Sequence, residues 1–118
     1  MVALNSRYTL KKNSDFRRLY TRGKSVVNPC LVVYCRKNRE GRNRFGYTVS
    51  AKLGYAVVRN RVRRRLREIV RLHSWQLVPG YDVVVVARSR AVDAEYRQLE
   101  DAFLRACGKL GLLAEDTE

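Results

Sequence analysis

The chain has 118 residues, 46% of them hydrophobic, so it is long enough to bury one modest core and too apolar for a disordered chain. Its formal net charge is +14 and is unevenly distributed: residues 1–71 hold 20 basic and 3 acidic residues, a net +17, and residues 72–118 hold 5 and 8, a net −3. This asymmetry predicts an anionic polymer as the partner of the first part. The apolar runs are too short for a secretory signal or a membrane span, so we expect a cytoplasmic protein.

The chain shows no repeat or low-complexity segment. We expect a single domain over residues 1–114 and a disordered acidic tail over residues 115–118. Three cysteines, Cys30, Cys35 and Cys107, lack the spacing of metal ligands and are expected to be free thiols in a reducing compartment.

Residues 1–12 are expected to be irregular and basic. Asn13 is predicted to be the N-cap of a first helix that runs to about Arg22. Phe16 and Tyr20 are four residues apart and share one face of this helix. From the sequence alone the two rings are as easily ordinary core as part of an exposed surface, since aromatic residues at this spacing often pack inward.

Strands are predicted between Ser25 and Arg36, interrupted by Asn28-Pro29. In the second strand, alternation places Leu31, Val33 and Cys35 on one face and Val32 and Tyr34 on the other. Five cations surround the following turn: Arg36, Lys37, Arg39, Arg42 and Arg44. They are weak evidence of function, because hairpin tips are often basic simply to remain solvated.

The next strand, Phe45 to Ser50, alternates again. One face is apolar, and the other is small and polar, formed by Gly46, Thr48 and Ser50. A strand face without bulk leaves room for a ligand, and it equally permits close packing by a neighbouring helix.

The run from Ala56 to about Trp75 predicts a long helix, because it contains good helix formers and no Gly or Pro. Seven of the thirteen residues from Arg59 to Arg71 are arginine and one is acidic. A core-facing stripe is formed by Val58, Val62, Leu66, Ile69 and His73. Glu68 follows Arg64 by four residues and is expected to neutralise it in part.

A merely solvated helix face would mix both signs, and Lys would serve there as well as Arg. Arginine offers a planar fork that binds phosphate through two hydrogen bonds. A membrane surface fits less well, because the apolar stripe is narrow, aliphatic and needed for the core. The helix is therefore predicted to present a nucleic-acid contact face.

The run from Tyr81 to Ala87 predicts a central strand, covered on both faces and parallel to an earlier strand. Asp93 is expected to cap a last helix whose core stripe contains Tyr96, Leu99, Phe103, Ala106 and Leu110. The predicted fold is an α+β sandwich of order α-β-β-β-α-β-α, with helices packed on a mixed four-stranded sheet.

Side chains suited to independent catalysis are sparse. Up to Arg71 the only acids are Asp15, Glu40 and Glu68, whereas a metal-dependent nuclease needs several converging carboxylates. His73 is the one histidine, and its place on the apolar stripe indicates a core or edge residue. The sequence predicts a protein that binds RNA and supplies no catalytic side chain.

The segment Arg59-Asn60-Arg61-Val62-Arg63-Arg64, preceded by Ser50-x-Lys52-x-Gly54-x-Ala56-Val57, resembles the motif of the bacterial ribonuclease P protein subunit. The resemblance extends from Leu10-Lys11-Lys12 through the last helix. Tyr55 departs from it, since the family often has a polar or basic residue there. Tyr55 also leaves the helix entry without an obvious side-chain cap.

The resemblance implies a ribonucleoprotein endoribonuclease that removes the 5′ leader of precursor tRNA. Catalysis belongs to the RNA subunit, and Mg²⁺ is bound mainly by that RNA and not tightly by the protein. It implies a monomeric protein, one per RNA, and no membrane partner. It also implies a left-handed β-α-β crossover, where the general rule for such crossovers would give a right-handed one.

The resemblance also implies two sets of binding residues. The contacts to the RNA subunit are Lys52, Arg59, Asn60, Arg61, Arg63, Arg64, Arg65 and Arg67. The contacts to the tRNA leader are the rings Phe16, Tyr20 and Tyr34, which line an open cleft in that family, and the cations Lys12 and Arg17. The alternative is a ribosomal or assembly protein that only binds RNA.

Overall fold

The computed structural model describes residues 9–114. The main elements follow the predicted order and are α1 Asn13–Arg22, β1 Lys24–Val27, β2 Leu31–Lys37, β3 Arg44–Thr48, α2 Ala56–His73, β4 Tyr81–Ala87 and α3 Tyr96–Lys109. Short 3-10 turns, Ala51–Leu53, Ser74–Gln76 and Ser89–Ala91, connect the later elements. The acidic tail predicted over residues 115–118 and the first eight residues lie outside the described part of the chain.

The four strands form one mixed sheet in the order β1-β2-β4-β3. β1 pairs with β2 and β2 with β4 in antiparallel fashion, whereas β3 and β4 are parallel. The valines at 83, 84 and 85 are fully buried, which confirms β4 as an inner strand covered on both faces. The parallel pairing of β4 with an earlier strand is confirmed too, and the left hand of the β3-α2-β4 crossover stays a prediction.

Helices α2 and α3 cover one face of the sheet and form the main core with it. Val62, Leu66 and Ile69 of α2 are buried in the same cluster as Leu99 and Phe103 of α3. Leu31, Val33 and Cys35, which share one face of β2 as predicted, belong to this cluster as well. The apolar stripe of α3 is therefore confirmed, and that of α2 is confirmed for Val62, Leu66 and Ile69.

Helix α1 lies on the opposite face, over a second and smaller core of Leu10, Leu19 and Val84. Thr9 forms a bridge to Phe45, and the Leu10 N–H donates to the Phe45 carbonyl at 2.8 Å. No helix or strand forms over residues 9–12, as expected of an irregular start, although Thr9 and Leu10 are bonded to β3. Leu10 has to be buried to complete the second core, so the backbone that carries it pairs with β3.

Two predicted helix caps are wrong by one or two residues. Lys12 is the N-cap of α1, and Asn13 is the first helical residue. Glu95 rather than Asp93 is the N-cap of α3, and its N–H donates to Gln98 Oε1 at 2.8 Å. The Ala94 N–H donates to the Arg90 carbonyl at 3.1 Å, so Ala94 belongs to the preceding turn and the helix starts after it.

His73 joins the end of α2 to α3. Its Nε2 lies 2.7 Å from Glu100 Oε2, and its Nδ1 lies 2.7 Å from Gln76 Nε2. Both ring nitrogens are therefore satisfied within the fold, which confirms His73 as an edge residue. No helix within residues 9–114 is long and apolar enough to cross a membrane.

Cys30, Cys35 and Cys107 are free thiols, as predicted. Cys35 and Cys107 are buried in the main core, and Cys30 is half-buried. Desolvation raises the pKa of Cys107 to about 12, so this thiol stays protonated at neutral pH.

Candidate nucleic-acid interface

The arginine face of α2 consists of Arg59, Arg61, Arg63, Arg64, Arg65 and Arg67, together with Asn60. It exists because the helix buries its other side on the sheet through Val62 and Leu66. Arg61, Arg64 and Arg67 are exposed, and the other arginines are half-buried.

Several members of this face are held in place by the protein itself. Arg59 Nε donates to the Gly54 carbonyl at 3.2 Å, and Arg65 Nη1 donates to the Ala94 carbonyl at 3.0 Å. Arg63 Nη1 donates to Asn60 Oδ1 at 3.0 Å. Within the protein Asn60 orients Arg63, and its contact to RNA stays a prediction. Such contacts reduce the rotamer freedom that a guanidinium loses on binding phosphate.

The one carboxylate within the arginine run pairs differently from the prediction. Glu68 bonds Arg71 through both carboxylate oxygens, with Arg71 Nε at 3.0 Å from Oε2, and not Arg64. This bonding lowers the pKa of Glu68. Because Glu68 is committed to the end of the helix, the first part of the arginine face keeps its unbalanced positive charge.

Arg67 lies beside Tyr47 of β3, with its guanidinium carbon 6.0 Å from the ring centroid. Burial raises the pKa of Tyr47, and the charge of Arg67 partly opposes that shift. The phenol therefore stays neutral and does not cancel the positive charge of Arg67. Lys52 is exposed on the 3-10 turn that leads into α2, where its N–H donates to Ser50 Oγ at 3.2 Å.

An aromatic row of Phe16, Tyr20 and Tyr34 lies on the α1 side of the sheet. The Tyr20 centroid is 6.4 Å from Phe16 and 5.0 Å from Tyr34, the latter in an edge-to-face arrangement. The Tyr20 hydroxyl and Thr48 Oγ1 are 2.6 Å apart. The structure therefore brings together the three rings that the resemblance named, although Phe16 and Tyr34 are 18 positions apart in the chain.

Gly46 explains where Phe16 lies. A Cβ at position 46 would be 2.6 Å from Phe16 Cζ, so the ring occupies the space that the missing side chain leaves. The small face of β3 therefore serves close packing by α1. Phe16 is half-buried, whereas Tyr20 is 40% exposed. Both of the alternatives raised for these rings hold in part, because Phe16 packs inward and Tyr20 remains open to solvent.

The two cations predicted beside the rings are exposed. Lys12 caps α1, and its carbonyl accepts from the N–H groups of Asp15 and Phe16. Arg17 lies on the first helix next to Phe16. The aromatic row is thus flanked by positive charge on α1.

One cation of the basic tip between β2 and β3, Arg44, binds a buried carboxylate of the fold. Arg44 binds Asp82 with two hydrogen bonds, Nε to Oδ1 at 2.9 Å and Nη2 to Oδ2 at 2.8 Å. Asn38 adds a third bond to Asp82 Oδ1 at 2.8 Å. These bonds raise the pKa of Arg44 and satisfy a carboxylate that is only 8% exposed. Sequence reasoning missed this pair, although an acid within an inner strand is itself a sign that a cation must lie nearby.

A groove of about 760 Å³ lies elsewhere, between the β1–β2 turn and α3. Its lining mixes Arg90 and Arg105 with Asp93 and Asp101, so it carries no single sign of charge. In the described part of the chain, no three His, Cys, Asp or Glu side chains are grouped to hold a metal ion.

The arginine face and the aromatic row define the class: a small basic α+β protein whose exposed chemistry suits nucleic acid. The family model of ribonuclease P matches residues 4–111. A ribonuclease P protein component of Alkaliphilus oremlandii is 43% identical over 113 residues, which are 96% of each chain.

Solved structures agree with this match. A Staphylococcus aureus RNase P protein mutant with defective mRNA degradation activity superimposes with a TM-score of 0.84 at 36% identity, covering 91% of each chain. The RNase P protein of Thermotoga maritima has a TM-score of 0.75 at 31% identity, covering 82% of this chain and 92% of that one. The chain belongs to the ribonuclease P protein family, which decides against the ribosomal or assembly alternative.

Proposed function

We propose that the arginine face binds the catalytic RNA of ribonuclease P and that the aromatic row holds the 5′ leader of precursor tRNA. The observation that carries this proposal is the placement of the two surfaces. Thr48, at the end of β3, contacts Tyr20, and the chain then passes directly through Lys52 into the arginine helix. One RNA-bound protein can therefore present its rings to a strand that leaves the catalytic RNA.

The chemistry of each surface supports its proposed ligand. Arginine forks bind phosphates whatever the RNA sequence, and three of the arginines already have part of their geometry fixed by the protein. A leader of varying sequence has no fixed pattern of base edges, but every base has a π-face that can stack on a ring. Lys12 and Arg17 would then bind the leader's phosphates.

In this proposal the protein contributes binding and the RNA contributes catalysis. Mg²⁺ is held mainly by the RNA, and one protein monomer binds one RNA in the cytoplasm. The one histidine supports this division, because Glu100 and Gln76 occupy both of its ring nitrogens. A general acid or base must reach the substrate proton, and His73 is engaged away from the arginine face.

The affinity of the protein for a bacterial ribonuclease P RNA, measured against salt concentration, tests the role of the arginine face. If about six phosphates are neutralised, affinity falls on the order of a thousandfold between 50 and 200 mM salt. Arg61→Ala removes one exposed cation and is expected to lower the slope of log affinity against log salt by about one unit. Arg97→Ala, an exposed arginine on α3, is the matched control and should leave the slope unchanged. Equal losses in both variants would mean that general charge, and not this face, attracts the RNA.

A further inference from the structure

Tyr55 is the N-cap residue of α2, and its side chain is 87% exposed. Val57, in the first turn, is 80% exposed, and Lys52 is exposed just before them. The arginine face therefore begins beside an aromatic ring that lies almost entirely in solvent.

Folding does not account for this ring. Good N-caps are Asn, Asp, Ser and Thr, whose short side chains accept a hydrogen bond from the first turn. Tyr55 makes no such bond, and the first turn of α2 contains no acid. An 87% exposed ring also contributes little apolar burial. The position thus forgoes a stabilising cap and gains no packing in return.

The backbone nevertheless holds this residue firmly. The Leu53 N–H donates to the Ser50 carbonyl at 3.0 Å, and the Arg59 N–H donates to the Tyr55 carbonyl at 3.0 Å. Gly54 has a φ of 142°, which a residue with a side chain rarely adopts. The Arg59 guanidinium bonds the Gly54 carbonyl, so a cation is fixed within the same turn as the ring.

We propose that Tyr55 stacks on an unpaired base of the RNA that the arginine face binds. This inference rests on the function proposed above and adds a base contact to its phosphate contacts. An exposed ring on a firmly held backbone can stack on any base, and Arg59 and Lys52 are placed to bind the phosphates on either side of that base. A membrane surface is a poorer match, because the apolar stripe of α2 is buried in the core and leaves the helix no continuous apolar face to insert.

Tyr55→Asn separates this role from a structural one through the melting temperature. A structural role of the ring predicts that the substitution lowers the melting temperature, whereas the stacking role predicts that it does not. Asn supplies the missing cap, so the melting temperature should rise by about 4 °C. The loss of a stacked base should weaken binding to a bacterial ribonuclease P RNA by roughly ten- to a hundredfold. The salt slope should not change, since tyrosine carries no charge. Weaker binding by a more stable protein cannot come from misfolding.

Two further variants identify the group responsible. Tyr55→Phe keeps the ring, so its RNA affinity should stay within about twofold of the wild type. Val57→Ala removes a neighbouring exposed apolar side chain, and its RNA affinity should also stay within about twofold of the wild type. Equal losses in Tyr55→Phe and Tyr55→Asn would assign the contact to the hydroxyl and overturn stacking. An equal loss in Val57→Ala would mean general apolar burial, by RNA or by a lipid surface, and would overturn it as well.

The Arg61→Ala variant separates failure of this inference from failure of the proposed function. If Arg61→Ala lowers the salt slope while Tyr55→Asn binds within about twofold of the wild type, only the stacking role is wrong. If neither variant changes RNA binding, the arginine helix is not the RNA contact, and both proposals are wrong.

Discussion

Replacing Tyr20 by alanine should weaken the binding of leader-bearing substrate and leave the binding of mature tRNA nearly unchanged. Tyr20 is the better probe of the aromatic row, because it is 40% exposed, whereas Phe16 fills the space above Gly46. Loss of one stacked base is worth about 1–3 kcal/mol, so the affinity for precursor tRNA should fall roughly ten- to a hundredfold.

The stability effect of this change should be smaller than that of Phe16→Ala. Because Tyr20 is only partly buried, its truncation should cost about 1–2 kcal/mol of unfolding free energy. Tyr20→Phe removes only the hydroxyl that contacts Thr48 and should cost about 1 kcal/mol while keeping leader affinity. Phe16→Ala opens a cavity over the sheet, so it should lower both stability and leader affinity.

The assay is equilibrium binding of precursor tRNA and of the same tRNA without its leader to reconstituted holoenzyme, with wild-type protein and with each variant. Tyr20→Ala should reduce the ratio of the two affinities, and Tyr20→Phe should preserve it. If Tyr20→Ala weakens both RNAs equally, the ring acts only through packing and the assignment of the leader site is refuted.

Other regions of the protein give separate expectations. Asp82→Asn leaves Arg44 without its anionic partner and should lower the unfolding free energy by about 2–3 kcal/mol, measured as a lower melting temperature. The RNA affinity of this variant, measured well below its melting temperature, should be unchanged. Protein freed of RNA should not hydrolyse precursor tRNA; hydrolysis of that substrate that is lost in His73→Ala would contradict this. Cys107 should resist a thiol reagent at pH 8 in the native protein, whereas half-buried Cys30 should react. Because burial raises the pKa of Cys107 from 9.0 to about 12, the unfolded chain releases this proton first, and stability measured by denaturant should decline as pH rises above 9.

Periodicity was sufficient for the main architecture. The apolar stripe of α2 shows which side of that helix is buried, and the uninterrupted apolar run of β4 indicates a strand covered on both faces. The order and type of the elements and the parallel pairing of β4 therefore follow from the sequence. Helix boundaries were less certain, because several polar residues near a helix start can serve as caps. Glu95 caps α3 in place of Asp93 because Glu95 and Gln98 form a capping box, whereas the Ala94 N–H belongs to the preceding turn, where it donates to the Arg90 carbonyl at 3.1 Å.

Side-chain partners were the least predictable part of the site. Glu68 has arginines at suitable helical spacing on both sides, at positions 64 and 71, and the sequence does not decide between them. The pairing of Arg44 with Asp82 joins two strands far apart in the chain, so it depends on the sheet order. The aromatic row came from the family resemblance, because the spacing of Phe16 and Tyr20 alone fits either a core or a surface.

Reconstitution of leader cleavage tests the central proposal most directly. Purified protein is added to a bacterial ribonuclease P RNA at a magnesium concentration too low for the RNA to act alone, and removal of the 5′ leader from precursor tRNA is followed. We predict that the wild-type protein restores cleavage and that the variant with both Arg61 and Arg64 replaced by alanine restores much less at the same protein concentration. Absence of any stimulation by folded wild-type protein, at concentrations that saturate the RNA, would contradict the proposed function.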